Sequence, residues 1–221
     1  MSILEHIVVN DDAYLLNIVG PSGSGKTQKM FHIMESWYPL DTTFAFRNYN
    51  DKLIKLFPES IRDRSITFSS FRDIIDTPCV VVLDDLPAQA YSNAYKSSDS
   101  QDFIRQLTFE RHNDHRLIAT SQNDQLVLKG LFQSVHVLNL ISKMLPSQSD
   151  TVRNIELQKF VNETISIAEK FYPDVDKRSF SYCPETDEIF QFPYLDLHPD
   201  IGKPYRGYVV ENGKLEYVGN Q

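Results

Sequence analysis

The chain has 221 residues, 41% hydrophobic and 12% aromatic, which suits one compact domain with a small appended lobe and excludes a disordered chain. Its 22 basic and 30 acidic side chains leave a net charge of −8, which counts against a broad basic face that coats DNA but allows a ring with basic groups in its channel alone. No apolar run nears the roughly 20 residues that a bilayer crossing needs. The start MSILEHIVVNDDAY is acidic where a signal peptide would be basic, so a soluble intracellular protein is expected. The two cysteines, Cys79 and Cys183, sit in unrelated contexts, and no disulfide between them is expected.

Along the first 145 residues, short apolar runs alternate with amphipathic stretches, the pattern of an α/β fold with a mainly parallel sheet. Leu15 to Val19 reads as a strand entering a glycine-rich turn. Residues 25 to 37 carry Met30, Phe31, Ile33, Met34 and Trp37 at helical spacing. Thr42 to Phe46 is a second strand, and Asp51 to Phe57 a short helix stopped by Pro58. Ser65 to Phe68 is a strand and Ser69 to Ile75 a short helix. Cys79 to Leu83 is continuously apolar, as expected of a strand buried on both faces. A helix is predicted from about Ser100 to Arg111, and strands over Leu117 to Ser121 and Val135 to Leu140. After Pro146 the character changes, so the expected division is a core at 1–145 and an extension packed on it at 146–221. The extension opens with a helix over Asp150 to Phe171. It also holds a hairpin, RGYVVENGKLEYV, whose Asn212-Gly213 suits a type I′ turn. Residues 182–221 hold seven acidic and three basic side chains.

The strongest chemical signal is Gly20-Pro21-Ser22-Gly23-Ser24-Gly25-Lys26-Thr27, a full match to G-x-x-x-x-G-K-[ST]. Glycines let the backbone curl so that several N–H groups face a polyphosphate, and the following helix points its positive end at the same charge. Lys26 is expected to reach the β- and γ-phosphates of ATP, and the Thr27 hydroxyl to bind Mg²⁺. The run Cys79-Val-Val-Val-Leu-Asp84-Asp85 is an apolar strand ending in carboxylates. Asp84 there suits a Mg²⁺ partner acting through water, and Asp85 is either a general base for the attacking water or a surface Asp capping a turn. In Arg116-Leu-Ile-Ala-Thr120-Ser121-Gln122, a strand again ends in polar residues. Gln122 is either a γ-phosphate sensor or a glutamine that starts a loop, and spacing does not separate the two.

Taken together, the P-loop, Leu83-Asp84-Asp85-Leu86, Phe109-Glu-Arg111-His112-Asn113 and the strand ending in Thr120-Ser-Gln122 resemble the FtsK–HerA superfamily. The likeness is to the small genome-packaging ATPases of icosahedral viruses, of the poxvirus and giant-virus, polinton and virophage, and tectivirus types. It spans about residues 13–145; the polar Asp114-His115-Arg116 departs from the more apolar approach usual before that strand.

The resemblance implies a P-loop NTPase with strands in the ASCE or RecA-like order, plus a small C-terminal helix and hairpin extension. It implies Gln122 as sensor and Arg111 as an arginine finger acting on a neighbouring subunit, with Arg105 and Arg116 as the competing candidates. It also implies a ring of five or six subunits around double-stranded DNA, capsid vertex proteins as partners, and a place in the host cytoplasm or the virion. The expected activity is ATP hydrolysis coupled to DNA translocation. Alternatives are another ring ATPase (a helicase loader or phage assembly motor), a small-molecule or nucleotide kinase, or a binding protein without catalysis. The polar loop from Gln89 to Gln101, with Lys96, is a candidate for facing the channel.

Overall fold

The computed structural model describes residues 1–10, 15–47, 49–85, 105–106, 110, 113–122, 137–143, 155–201, 208–211 and 214–217. Eight strands form one sheet in the spatial order β3-β2-β4-β5-β1-β6-β7-β8. They are β1 (Leu15–Val19), β2 (Phe44–Arg47), β3 (Ser65–Phe68), β4 (Val80–Leu83), β5 (Arg116–Ser121), β6 (Val137–Ile141), β7 (Phe180–Cys183) and β8 (Glu188–Gln191). The first six in chain order pair in parallel; β7 and β8 add on antiparallel beyond β6. β5 therefore lies between β1, which feeds the P-loop, and β4, which ends before Asp84, in agreement with the expected strand order.

Both faces of the central strands are covered, which is why they read as apolar runs and not as alternation. The pleat sends Leu16, Ile18, Val80 and Val82 into the core that holds helices α1 (Ile3–Val9) and α2 (Lys26–Ser36). Leu15, Val81 and Leu83 point the other way, onto Phe68, Phe71 and Ile74. Within the first core, Phe31 of α2 is fully buried, and its ring meets Phe57 edge-on with centroids 4.8 Å apart. A third cluster joins Val161 and Ile165 of the long helix α5 (Ile155–Phe171) to Phe180 and Tyr182 of β7.

Of the predicted helix at 51–57, residues 51–54 are helical as α3 (Asp51–Ile54), and Pro58 is the N-cap of a further short helix that was not expected, α4 (Glu59–Arg62). The segment 69–75 is a single 3-10 turn, Phe71–Asp73, capped by Ser70. Helix α1 has no counterpart in the sequence reading. A Ser2/Glu5 capping box starts it, and the Glu188 carboxylate accepts the Ile3 and Leu4 N–H groups at 2.9 and 2.8 Å. Strands β7 and β8 were likewise not expected, although Phe180 and Tyr182 alternate with polar neighbours. The hairpin is present as β9 (Tyr208–Glu211) and β10 (Lys214–Tyr217); its turn lies outside the described residues. Of the predicted helix at 100–111, only 105, 106 and 110 are described, and all three are helical.

The polar approach to β5 also has a structural use. His115 is buried, its Nε2 donates to the Thr77 carbonyl at 2.9 Å, and its Nδ1 meets the buried carboxylate of Glu110. Burial opposes the charged ring, but the acceptors around it (Cys79, Glu110 and Thr77) prevail and raise its pKa to about 10. Both cysteines are buried and free. No helix among the described residues is long and apolar enough to cross a membrane.

Phe31→Ala removes a large ring from between α2 and the sheet. It is expected to lower stability by about 3–5 kcal/mol, read as a fall in the urea midpoint at unchanged slope.

Candidate nucleotide site

In parallel strands joined by crossovers, loops at the carboxyl ends face one edge of the sheet. Three of those loops carry the polar residues singled out in the sequence. The first leaves β1. Gly20 N–H donates to the Ser121 carbonyl at 3.1 Å, and Ser24 N–H to the Pro21 carbonyl at 3.1 Å, which closes the turn around Ser22 and Gly23. Gly23 and Gly25 have φ of 80° and 78°, a left-handed backbone that a side chain would strain. The Ser24 hydroxyl is buried with no hydrogen-bond partner among the described residues.

Gly25 caps α2, so the free N–H groups of that helix face the loop, with Lys26 and Thr27, both half-buried, in its first turn. The Lys26 ammonium donates to the Gly20 and Pro21 carbonyls at 2.8 and 3.1 Å, folded back over the loop. Burial lowers its pKa, and the carboxylates of Asp84 and Asp85 oppose that shift.

The second loop follows β4. Asp84 is 5% exposed and both of its oxygens are engaged. Thr120 Oγ1 donates to Oδ1 at 2.6 Å and the Tyr49 hydroxyl to Oδ2 at 2.9 Å. Thr120 in turn accepts the Asp85 N–H at 2.7 Å, so one hydroxyl ties the two acidic residues together. Asp85 is half-buried with φ 53°, a left-handed conformation that Asp tolerates better than most side chains. Burial, and then the neighbouring Asp84 charge, raise its pKa against the pull of Lys26.

The third loop follows β5, where Gln122 stands exposed immediately after Ser121. Its strand separates the other two, so Gln122 emerges between the P-loop and the acidic pair.

Lys26, Thr27, Asp84, Asp85 and Gln122 thus gather at one edge. Arg111 and Lys96 lie outside the described residues. Arg105 is exposed, whereas Arg116 begins β5 at the far end of that strand, where its Nη1 bonds the Val9 carbonyl at 2.5 Å. Sequence reasoning missed Tyr49, which sits in the loop after β2 with nothing in its local pattern to mark it. It also missed Thr120 as the bridging hydroxyl, although that residue was in view. Lys29 was missed too. It is buried one turn after Lys26, and its ammonium bonds Ser142 Oγ at 2.7 Å and the Phe180 carbonyl at 3.1 Å. Burial, then the Lys26 charge, bring its pKa down to about 7.

The fold that carries these residues is found in solved structures. EssC (ATPases 2 and 3) from Geobacillus thermodenitrificans superposes with a TM-score of 0.51 at 11% identity, over 88% of this chain and 43% of that one. The fold is that of a P-loop NTPase. EccC (ATPases 2 and 3) from Thermomonospora curvata, in complex with a signal sequence peptide, gives 0.50 at 11% identity, over 84% and 38%. The genome packaging NTPase B204 of Sulfolobus turreted icosahedral virus 2, in complex with ATPγS, gives 0.48 at 12% identity, over 85% and 100%. No protein-family model and no curated protein matches the sequence.

The P-loop's oxygen donors suit a hard divalent cation. Asp84, with both oxygens already accepting hydrogen bonds, fits an ion that keeps much of its water, as Mg²⁺ does.

Thr120→Val keeps the shape of β5 but deprives the buried Asp84 carboxylate of one donor. A loss of about 1–3 kcal/mol is expected by chemical denaturation.

Lys29 supplies a pH test with a defined sign. Its folded pKa of about 7 lies below the ordinary 10.5, so above pH 7 the unfolded chain holds a proton that the folded chain lacks. Stability from this group therefore rises with pH. His115 acts in the opposite sense, equally in wild type and variant. Between pH 7 and 8.5 the wild type is expected to gain about 1–2 kcal/mol over Lys29→Met, measured as the difference in unfolding free energy.

Proposed function

We propose that the chain hydrolyses ATP to drive double-stranded DNA, as the packaging motor of a viral genome. The observation that carries the reading is the position of β5. It brings Thr120-Ser121-Gln122, the tract that resembles the packaging ATPases, between the P-loop strand and the strand ending at Asp84.

The chemistry assigns a task to each side chain. The curled backbone from Gly20 to Thr27 and the start of α2 bind the polyphosphate through N–H groups. Lys26 exchanges the Gly20 and Pro21 carbonyls for β- and γ-phosphate oxygens, so its positive charge is already at the site before the nucleotide arrives. Thr27 and, through water, Asp84 would hold Mg²⁺, which supplies charge neutralisation on the β- and γ-phosphates when bound.

Asp85 takes a proton from the attacking water as the new oxygen–phosphorus bond forms and the bond from the γ-phosphorus to the bridging oxygen breaks, releasing ADP and phosphate. Its raised pKa strengthens it as a base, and the Thr120 hydrogen bond to its backbone fixes its direction. Gln122 reads the γ-phosphate, and Arg111 of a neighbouring subunit completes the charge around it. A ring of five or six subunits around the DNA reconciles a net charge of −8 with a polyanionic track, since only the channel needs basic groups. Capsid vertex proteins are the proposed docking partners, in the host cytoplasm and then at the virion.

The test is steady-state ATP hydrolysis across protein concentrations, with and without double-stranded DNA. Turnover is expected to rise steeply with both, and Lys26→Ala to abolish it. Arg111→Ala is expected to bind ATP and lose about 10³-fold or more in rate. Turnover indifferent to concentration and to DNA would sink the motor reading.

A further inference from the structure

Granting ATP on the P-loop, the direction in which the nucleotide lies follows from the strand order. Asp84 and Asp85 leave β4, on the β5 side of β1, so the γ-phosphate end faces that way. The nucleoside end must then leave toward β6, β7 and β8, the last two of which are built from the C-terminal third of the chain.

A cavity of about 320 Å³ opens there. Its floor is the first turn of α2, with Gly25, Gln28 and Lys29, and its walls are the segments 175–179 and 191–194. The walls stay close to the P-loop by direct contact. A Cβ at Gly25 would lie 3.7 Å from the Arg178 carbonyl, Lys29 bonds the Phe180 carbonyl, and Gln28 Oε1 accepts the Leu195 N–H at 2.9 Å. Val175 and Phe192 supply apolar surface, and the Tyr194 ring stands 71% exposed at the mouth. Ser179, also in the wall, has a buried hydroxyl with no partner among the described residues. Lys29, Asp176 and Arg178 add polar groups to the same lining, so the cavity offers a purine nucleoside a face to stack on and groups to orient it.

A second cavity of about 300 Å³ lies on the other side of Arg178, against Pro21 to Ser24. It is lined by Lys143, Glu169 and Lys177, with Lys143 and Glu169 paired at 2.7 Å. Its one aromatic ring among the described residues, Phe180, is buried and leaves a base no exposed face to stack on.

We propose that the C-terminal lobe forms the nucleoside half of the ATP site, with the purine base between Val175 and Tyr194 and the ribose near Ser179. The lobe is then part of the enzyme's substrate pocket and not only an appendage on its core.

The experiment measures binding of Mg-ATP and of Mg-tripolyphosphate to the full chain by calorimetry. Both ligands share the polyphosphate and differ in the nucleoside. Wild type is expected to prefer ATP by about 10-fold or more. Tyr194→Ala, at an exposed position, is expected to weaken ATP by about 5- to 100-fold. Val175→Trp, which fills the slot, should weaken it at least as much. Both variants should bind tripolyphosphate within about 2-fold of wild type, while Lys26→Ala loses both ligands. ATP affinity unchanged in both variants would overturn the proposal, as would a parallel loss of tripolyphosphate. An ATP-selective loss in Lys143→Ala would also overturn it, by moving the nucleoside to the second cavity. A wild type that binds neither ligand would instead remove the nucleotide reading itself, and the proposal with it.

Discussion

Asp84 keeps a carboxylate at the end of a strand whose four residues are all buried. A charge in that position must have donors on its oxygens or lose several kcal/mol. The donors come from two other strand ends, Thr120 at the end of β5 and Tyr49 just past β2. Satisfying one acid therefore pins three loops against each other. The same Thr120 hydroxyl, having donated to Asp84, accepts from the Asp85 backbone and holds that residue in a left-handed turn. The acidic end of the site thus has its polar groups paired with one another before any ligand arrives.

The P-loop helix is held in a comparable way from the opposite side. Gln28, Lys29, His32 and Trp37 of that region all meet residues beyond 179: Leu195, Phe180 and Phe192, with Trp37 also against Phe190. The apolar and hydrogen-bonded contacts are spread along the length of α2. Movement of the C-terminal lobe is thus mechanically tied to the helix that presents Lys26. A polar ladder runs the same way through the sheet, from Ser121 to Asn17 to Asn139 to Glu185. It links the end of β5 to the turn between β7 and β8.

Much of this was legible in the chain. The P-loop, the apolar run into Asp84 and the strand ending at Gln122 are contiguous patterns, and contiguous patterns survive without three-dimensional information. Their convergence followed from parallel topology alone. What escaped were partners supplied from a distance. Tyr49 is 35 positions from the acid it serves, and Lys29 is 151 from the carbonyl it bonds. Helix α1 was invisible for the same reason: seven residues with one short apolar run are marginal alone. Strands β7 and β8 are four residues each, divided by a Pro-Glu-Thr-Asp stretch, so their alternation is too brief to stand out. The polar approach to β5 looked like a departure from pattern and is a buried His115–Glu110 pair.

The clasp between Glu188 and the first turn of α1 joins positions 185 and 184 apart in the chain. During synthesis, two amide groups of α1 would have water as their partner until the chain as far as Glu188 had followed. Closing so long a loop carries an entropic cost that only the finished lobe offsets. Residues 3 and 4 thus meet their folded partner only when β8 is in place.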